Sequence, residues 1–366
     1  MAELLKDRFT RELLEHFADG VREAYPAFDQ AAFLAAVFDE EWAGKELKQR
    51  FRAITLALGK TLPADYPAAI EVLEAITDRF RGFEYLFFPD FVMVYGQDDW
   101  DTSMRALERF TMASSSEEAV RPFIKRDPER MMAQMMAWAE HPNHHVRRLA
   151  SEGCRPRLPW MMALEDFKRD PSPILPILEK LKDDESEYVR RSVANNLNDI
   201  TKDHPALVIE LAHRWYGASE RTDAILKHAC RTLLKRGIPE VLALFGFGQD
   251  AAVTVSGFRL ESAVVPMGGD LVFAWELLQE ADEPVLVRID YAIDYVKSSG
   301  KTSRKVFKLS ERSMPPGSAS YSRKQSMRDM TTRKHYPGTH RVTLIVNGRE
   351  TDSAAFELFR PAGEGG

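Results

Sequence analysis

Cysteine is almost missing from this sequence: Cys154 and Cys230 are the two present in 366 residues. They cannot build a disulfide framework, which excludes a small cross-linked secreted scaffold and points to a reducing compartment. Long apolar runs are missing too, and nothing approaches the roughly 20 consecutive apolar residues of a membrane span. The opening MAELLKDRFTRELLEHF is charged and amphipathic, without the apolar centre of a leader peptide. A cytoplasmic protein with no membrane partner is therefore expected. There is no glycine-rich phosphate loop, and no Ser or Cys sits in a convincing nucleophile motif. His141, His144, His145 and Cys154 are the right types for zinc. Without a CxxC pair, and with adjacent His144 and His145 expected to point apart, no metal and no cofactor are expected. Met131, Met132, Met135 and Met136 read as core filling.

What is present is a soluble composition, 44% hydrophobic and 29% charged, with a formal net charge of -6. The charge is segregated. Between Val285 and Glu350, 14 Lys and Arg stand against 5 Asp and Glu. That stretch suits either a solvated basic surface or a footprint on nucleic acid.

Apolar residues at three- and four-residue spacing predict helices through the first hundred residues, with Asp29, Pro63 and Asp65 at their ends or starts. FEYLFFPDFVMVYGQDDW reads as a buried helix or turn with no chemistry assigned. From Thr102 the units SSSEEAVRPFI, HPNHHVRRLAS and DESEYVRRSVA recur, each placing turn formers and acids or amides before a Val-Arg pair. With companion helices between them, they predict an α-solenoid of HEAT-like repeats over residues 1–248. After Gly237, short alternating runs separated by Gly, Pro, Ser and Asn predict at least six strands. An all-β immunoglobulin-like sandwich over 249–361 and a disordered tail at 362–366 complete this α + β, multidomain reading.

The organising stretch is HPNHHVRRLASEGCRPRLPW, residues 141–160. A helix over Val146–Arg155 places Arg148, Glu152 and Arg155 on one face, a carboxylate between two guanidinium groups. Pro156 and Pro159 cannot continue that helix, so Trp160 belongs to the connection beyond it. Glu117, Glu152 and Asp199 are the acids that stand out, and each has an ordinary use as well. Glu117 suits a helix N-terminus, Glu152 an ion pair with Arg148, and Asp199 a pair with Asn195 or Arg191 or a cap on the next segment.

SSSEEAVRPF, HVRRLASEGCRPRLPW and VRRSVANNLNDITKDHP resemble the motifs of the DNA alkylation repair glycosylases, in particular the AlkC branch, which is related to AlkD. The similarity is strong over about 107–205, and an added immunoglobulin-like domain also occurs in that branch. Glu118 departs from the pattern, where an apolar aromatic residue is expected. The resemblance implies a monofunctional DNA glycosylase that removes 3-methyladenine, with 3-methylcytosine as a candidate second lesion, from duplex DNA without flipping the base. It implies alkylated double-stranded DNA as partner, and a monomer is expected. Carried onto matching positions, it gives Glu152, Trp160, Asp199 and Glu117 as catalytic. Arg121, Arg147, Arg148, Arg155 and Arg191 would serve the DNA backbone or orient the acids. Lys301, Arg304, Lys305, Arg323 and Lys324, from KSSGKTSRKVFK and YSRKQSMRDMTTRKH, are candidate DNA contacts of the β domain. The alternative is a non-catalytic helical-repeat DNA-binding or scaffold protein, and a peptide-binding adaptor is a third reading. Carboxylates on the binding face favour the enzyme, because a phosphate-binding scaffold gains nothing from them.

Overall fold

Short polar side chains punctuate the first two-thirds of the chain, and several of them set helix starts. The computed structural model describes residues 4–248, 253–330 and 333–361. The helices are α1 (Arg11–Ala24), α2 (Gln30–Val37), α3 (Leu47–Thr61), α4 (Tyr66–Ile76), α5 (Phe87–Tyr95), α6 (Trp100–Thr111), α7 (Arg121–Arg126) and α8 (Pro128–Trp138). They continue as α9 (His144–Gly153), α10 (Glu165–Arg169), α11 (Leu175–Leu181), α12 (Glu187–Ile200), α13 (Pro205–Trp215), α14 (Glu220–Ala229), α15 (Arg231–Lys235) and α16 (Pro239–Leu244). Asp29 and Asp65 accept from the backbone N–H groups of Ala32 and Ala68, at the positions expected for helix starts. Asp99, Asp127 and Asn143 cap α6, α8 and α9 in the same way.

Two compact units result: residues 1–204 with 215–229, and residues 205–214 with 230–366. In the first, successive helices pack side by side. α9 lies against α8, α11 and α12, and α12 against α9 and α14, which is the solenoid arrangement the repeats predict. Its N-terminal part is an aromatic core, where the Phe17 ring meets Phe33, Phe80, Phe87 and Phe88 edge-on or tilted at 4.9–6.0 Å. α5 is buried on that core, as its apolar run requires.

The second unit holds two sheets with strands β1 (Val253–Leu260), β2 (Val264–Pro266), β3 (Asp270–Gln279), β4 (Val285–Val296), β5 (Thr302–Met314), β6 (Gly317–Ser326), β7 (Gly338–Val346) and β8 (Arg349–Phe359). Their orders are β1-β3-β6 and β2-β8-β7-β4-β5, antiparallel except for β2 with β8. Alternate residues of the two inner faces, among them Phe273, Trp275, Tyr291, Ile293, Leu344 and Phe356, form one core. YSRKQS, from one of the two segments expected to contact DNA, is part of β6, a strand not among the runs read from the sequence, which pairs with β3 along its whole length. The change from helix to strand lies between Leu244 and Val253, yet α15 and α16 belong to the second unit. Gly237 and Gly348 approach so closely that a Cβ on Gly237 would stand 2.7 Å from the Gly348 carbonyl. Asn347 adds a hydrogen bond to the Gly248 carbonyl at 2.9 Å. The tail expected at 362–366 lies outside the described residues.

Candidate active site

α9 delivers the face its spacing predicts, although it ends at Gly153, and Arg155 lies in the turn just beyond. Glu152 is 5% exposed and is held from three sides. Arg155 Nη1 donates to Oε1 at 2.6 Å and Ser192 Oγ donates to Oε2 at 2.6 Å, while Arg148 Nη2 stands 3.4 Å away. Ser192 comes from α12, so the two repeat helices share this carboxylate. Asp199, also on α12, accepts from Arg155 Nε at 2.9 Å and from Lys202 at 3.1 Å. Its partners are thus Arg155 and Lys202, rather than Asn195 or Arg191. Glu117 pairs with Arg148 and accepts from Ser115 Oγ at 2.8 Å. Arg148 also lies 4.9 Å from the centre of the Tyr188 ring. Burial alone would lower both Arg148 and Arg155, but the carboxylates around them outweigh it and their pKa values are raised. Both therefore stay cationic at neutral pH.

Glu117, Glu152 and Arg155 border a cleft of about 310 Å³. Its walls are mostly apolar, with Phe51, Phe83, Leu86, Met93 and Leu158, and Trp160 stands on its border. Asp90, Glu117, Glu118 and Glu152 also line it, with Arg155 as the cation among the lining residues. Arg52, Arg148 and Lys48 pair with Asp90, Glu117 and Glu118. Each of the four carboxylates is therefore paired with a cation, and ion pairs edge an apolar, low-dielectric wall. Asp199 is outside this lining and reaches it through Arg155.

Trp160 is the most exposed large hydrophobic residue described, at 74%, and its backbone is left-handed with φ of 64°. That conformation costs a non-glycine residue roughly 1–3 kcal/mol and marks a backbone held by its surroundings. Pro159 precedes it, Met161 N–H donates to the Leu158 carbonyl at 3.3 Å, and Lys48 Nζ donates to the Trp160 carbonyl at 2.8 Å.

Two of the arginines expected on DNA are spent inside the fold. Arg121 is fully buried and donates to the carbonyls of Met162, Gly153 and Arg155 at 2.6, 2.9 and 2.9 Å. Burial lowers it to about 10, which still leaves it charged. Arg147 holds Asp184 through two hydrogen bonds of 2.6 and 3.0 Å and donates to the carbonyls of His141 and Pro142. Neither can reach a phosphate. Arg155 is likewise buried and orients acids. Arg191 is exposed, paired with Glu187 at 2.6 Å. In the second unit Lys301, Lys305 and Arg323 are exposed. Arg304 pairs with Glu350 and Lys324 with Asp270, at 2.5 and 2.8 Å, and both pairs leave the side chains accessible.

Cys154 is fully buried, and burial pushes its thiol up to about 12, which leaves it no part as a nucleophile. The His144 and His145 rings lie 4.2 Å apart rather than pointing away from each other. Among the described residues no group of three or more His, Cys, Asp or Glu is arranged to hold a metal ion. No described helix is long and apolar enough to cross a membrane. Missed in the sequence were Lys48, the Arg52–Asp90 pair and the α5 wall of the cleft. A lone aspartate inside FFPDFVMVY was the available signal, since a charge in an apolar helix needs a partner.

A family model described as DNA alkylation repair enzyme matches residues 101–233. A second, described as the C-terminal Ig-like domain of the uncharacterised protein YhaZ, matches 254–360. The uncharacterized protein YhaZ of Bacillus subtilis (strain 168) is 46% identical over 355 residues, which is 97% of this chain and 99% of that protein. The solved structure of Pseudomonas fluorescens alkylpurine DNA glycosylase AlkC, bound to DNA containing an abasic site analog, superposes with a TM-score of 0.93 at 43% identity. It covers 98% of this chain and 100% of that one.

Proposed function

The chain belongs to the DNA alkylation repair enzyme family, and from that premise we propose that this DNA glycosylase hydrolyses the N-glycosidic bond of cationic alkylated bases in duplex DNA. Its substrates are 3-methyladenine and, as a second lesion, 3-methylcytosine. The observation that carries this reading is the cleft wall, where four carboxylates and an outward-facing indole meet on an apolar surface.

An N3-alkylated base is already positively charged, so it leaves as a neutral molecule and needs little acid catalysis. The bonding electron pair departs with the base, positive charge passes to the deoxyribose, and a water oxygen then bonds to the anomeric carbon and gives up its proton. A carboxylate about 4 Å from that charge stabilises it by roughly 4 kcal/mol at an effective dielectric near 20. That is close to a thousandfold in rate. Glu152 is assigned this role, because two arginines and Ser192 fix its orientation before substrate arrives. Glu117, less constrained and beside Ser115, positions the water and accepts its proton. Asp199 acts through Arg155 as a positioning residue. Trp160 offers its π face to the deoxyribose or to the cationic base. The indole faces outward rather than into an enclosed chamber, which suits a lesion left in the stack and reached by bending the duplex. Arg191 and the exposed Lys and Arg of β5 and β6 contact phosphates.

The test is incubation of methylating-agent-treated duplex DNA with the protein. Free 3-methyladenine should appear, the abasic strand should remain unbroken until treated with alkali, and a neutral damaged base at the same position should be retained. Salt-sensitive duplex binding without base release would contradict the proposal and leave a DNA-binding scaffold.

A further inference from the structure

We infer that Lys48 is a positioning residue for excision, a strut that fixes Trp160 relative to the carboxylate wall; this rests on the glycosylase reading above. Lys48 is the second residue of α3, and Phe51, Arg52 and Thr55 follow it at helical spacing on one face. Each ties that face to its surroundings. Phe51 lines the cleft, Arg52 grips Asp90 of α5 through two hydrogen bonds of 2.8 Å, and Thr55 Oγ1 donates to the Phe87 carbonyl at 3.4 Å. The base from which Lys48 extends is therefore fixed.

From that base, Nζ donates to two acceptors that are distant in sequence. One is Glu118 Oε1 at 2.5 Å and the other is the Trp160 carbonyl at 2.8 Å. Glu118 adjoins Glu117, so a single ammonium group joins the turn that carries one cleft acid to the loop that carries the indole. Arg121 holds the same loop from the inner side, at the Met162 carbonyl. The segment with left-handed Trp160 is thus gripped on both flanks, while the indole itself projects to solvent. With the outer grip removed, the Trp160 peptide is free to leave its uncommon conformation and the indole loses its orientation. This assignment gives Glu118 a purpose that an aromatic side chain at that position cannot serve.

Lys48→Met and Lys48→Arg separate this role from the alternatives. Lys48→Met should lower kcat for base release about tenfold to a hundredfold, as misplacement of a catalytic group does. KM should change less than about twofold, and Lys48→Arg, which still donates, should recover most of the rate. Fluorine NMR of fluorotryptophan-labelled protein, with the Trp160 resonance assigned by its loss in Trp160→Phe, should show that resonance shifted and narrowed in Lys48→Met alone. A raised KM with unchanged kcat would make Lys48 a phosphate ligand and overturn the inference, as would an unmoved Trp160 resonance. If Lys48→Met proves poorly folded, Glu118→Gln carries the same expectations at smaller size. A wild type that releases no base would sink the glycosylase reading, while the NMR comparison still decides whether Lys48 holds Trp160.

Discussion

Arg155 carries more of the site's organisation than its place after the helix implies. It stands between Glu152 and Asp199, and all three side chains are at most 8% exposed. Removing the cation leaves two buried carboxylates without their shared partner. Arg155→Met should therefore destabilise the first unit by about 3–5 kcal/mol, read as a lowered urea midpoint, while Arg191→Ala at an exposed pair should stay within about 0.5 kcal/mol of wild type. His145 adds a dependence on pH. Burial, then His144 and Arg148, depress its imidazole below the ordinary 6.5. The folded state thus favours the neutral ring, so the associated stability is complete above pH 6.5 and is lost as pH falls through the lower folded value. Thermal unfolding should come earlier as the pH drops below about 6.5, and His145→Asn should flatten that dependence. The alignment of Arg148 and Glu152 was legible because local helical geometry sets it, whereas Arg155, beyond the end of α9, is placed by its bonds to Glu152 and Asp199. The burial of Arg121 and Arg147 was not, because an arginine bound for a carbonyl and one bound for a phosphate look alike until the chain is folded.

The packing of α9 on the preceding turn sets the distance between Glu117 and Glu152. Gly153 permits the close approach, since a Cβ there would lie 2.6 Å from Val120 Cγ2 and 3.0 Å from Met135 Cε. Gly153→Ala should cost about 1–3 kcal/mol by overpacking and should reduce base release as the two acids move apart. Unchanged activity with lowered stability would show that the spacing is not critical. Elements with one strong period were legible: α1 buries Leu14, Phe17, Ala18 and Val21 at helical spacing, and β3 alternates as a strand with one buried face should. β6 was not, because it is an edge strand whose sequence, GSASYSRKQS, lacks an apolar run. α5 was legible as a buried element, but its part in the cleft depends on Arg52, 38 residues before Asp90, and no local pattern reports such a pairing.

Across the whole chain, a net charge of -6 hides a division that suits a DNA partner: between Val285 and Glu350 Lys and Arg outnumber Asp and Glu by 14 to 5. Charge reversal of Lys301, Lys305 and Arg323 should weaken duplex binding and flatten its dependence on salt by about 0.9 in slope for every phosphate no longer neutralised. An unaltered salt slope would remove these residues from the interface. Truncation after Gly248 is a poorer test, because it cuts through the unit that contains α15 and α16. The measurement that bears most directly on the central claim is single-turnover release of 3-methyladenine by Glu152→Gln, with duplex affinity measured on the same protein. The substitution keeps the shape of the side chain and removes its charge. Release slowed by roughly a hundredfold to a thousandfold at unchanged affinity is the predicted result, as expected when a charge that acts in the transition state is removed. Release at the wild-type rate would contradict the assignment of Glu152 and the electrostatic account of this cleft.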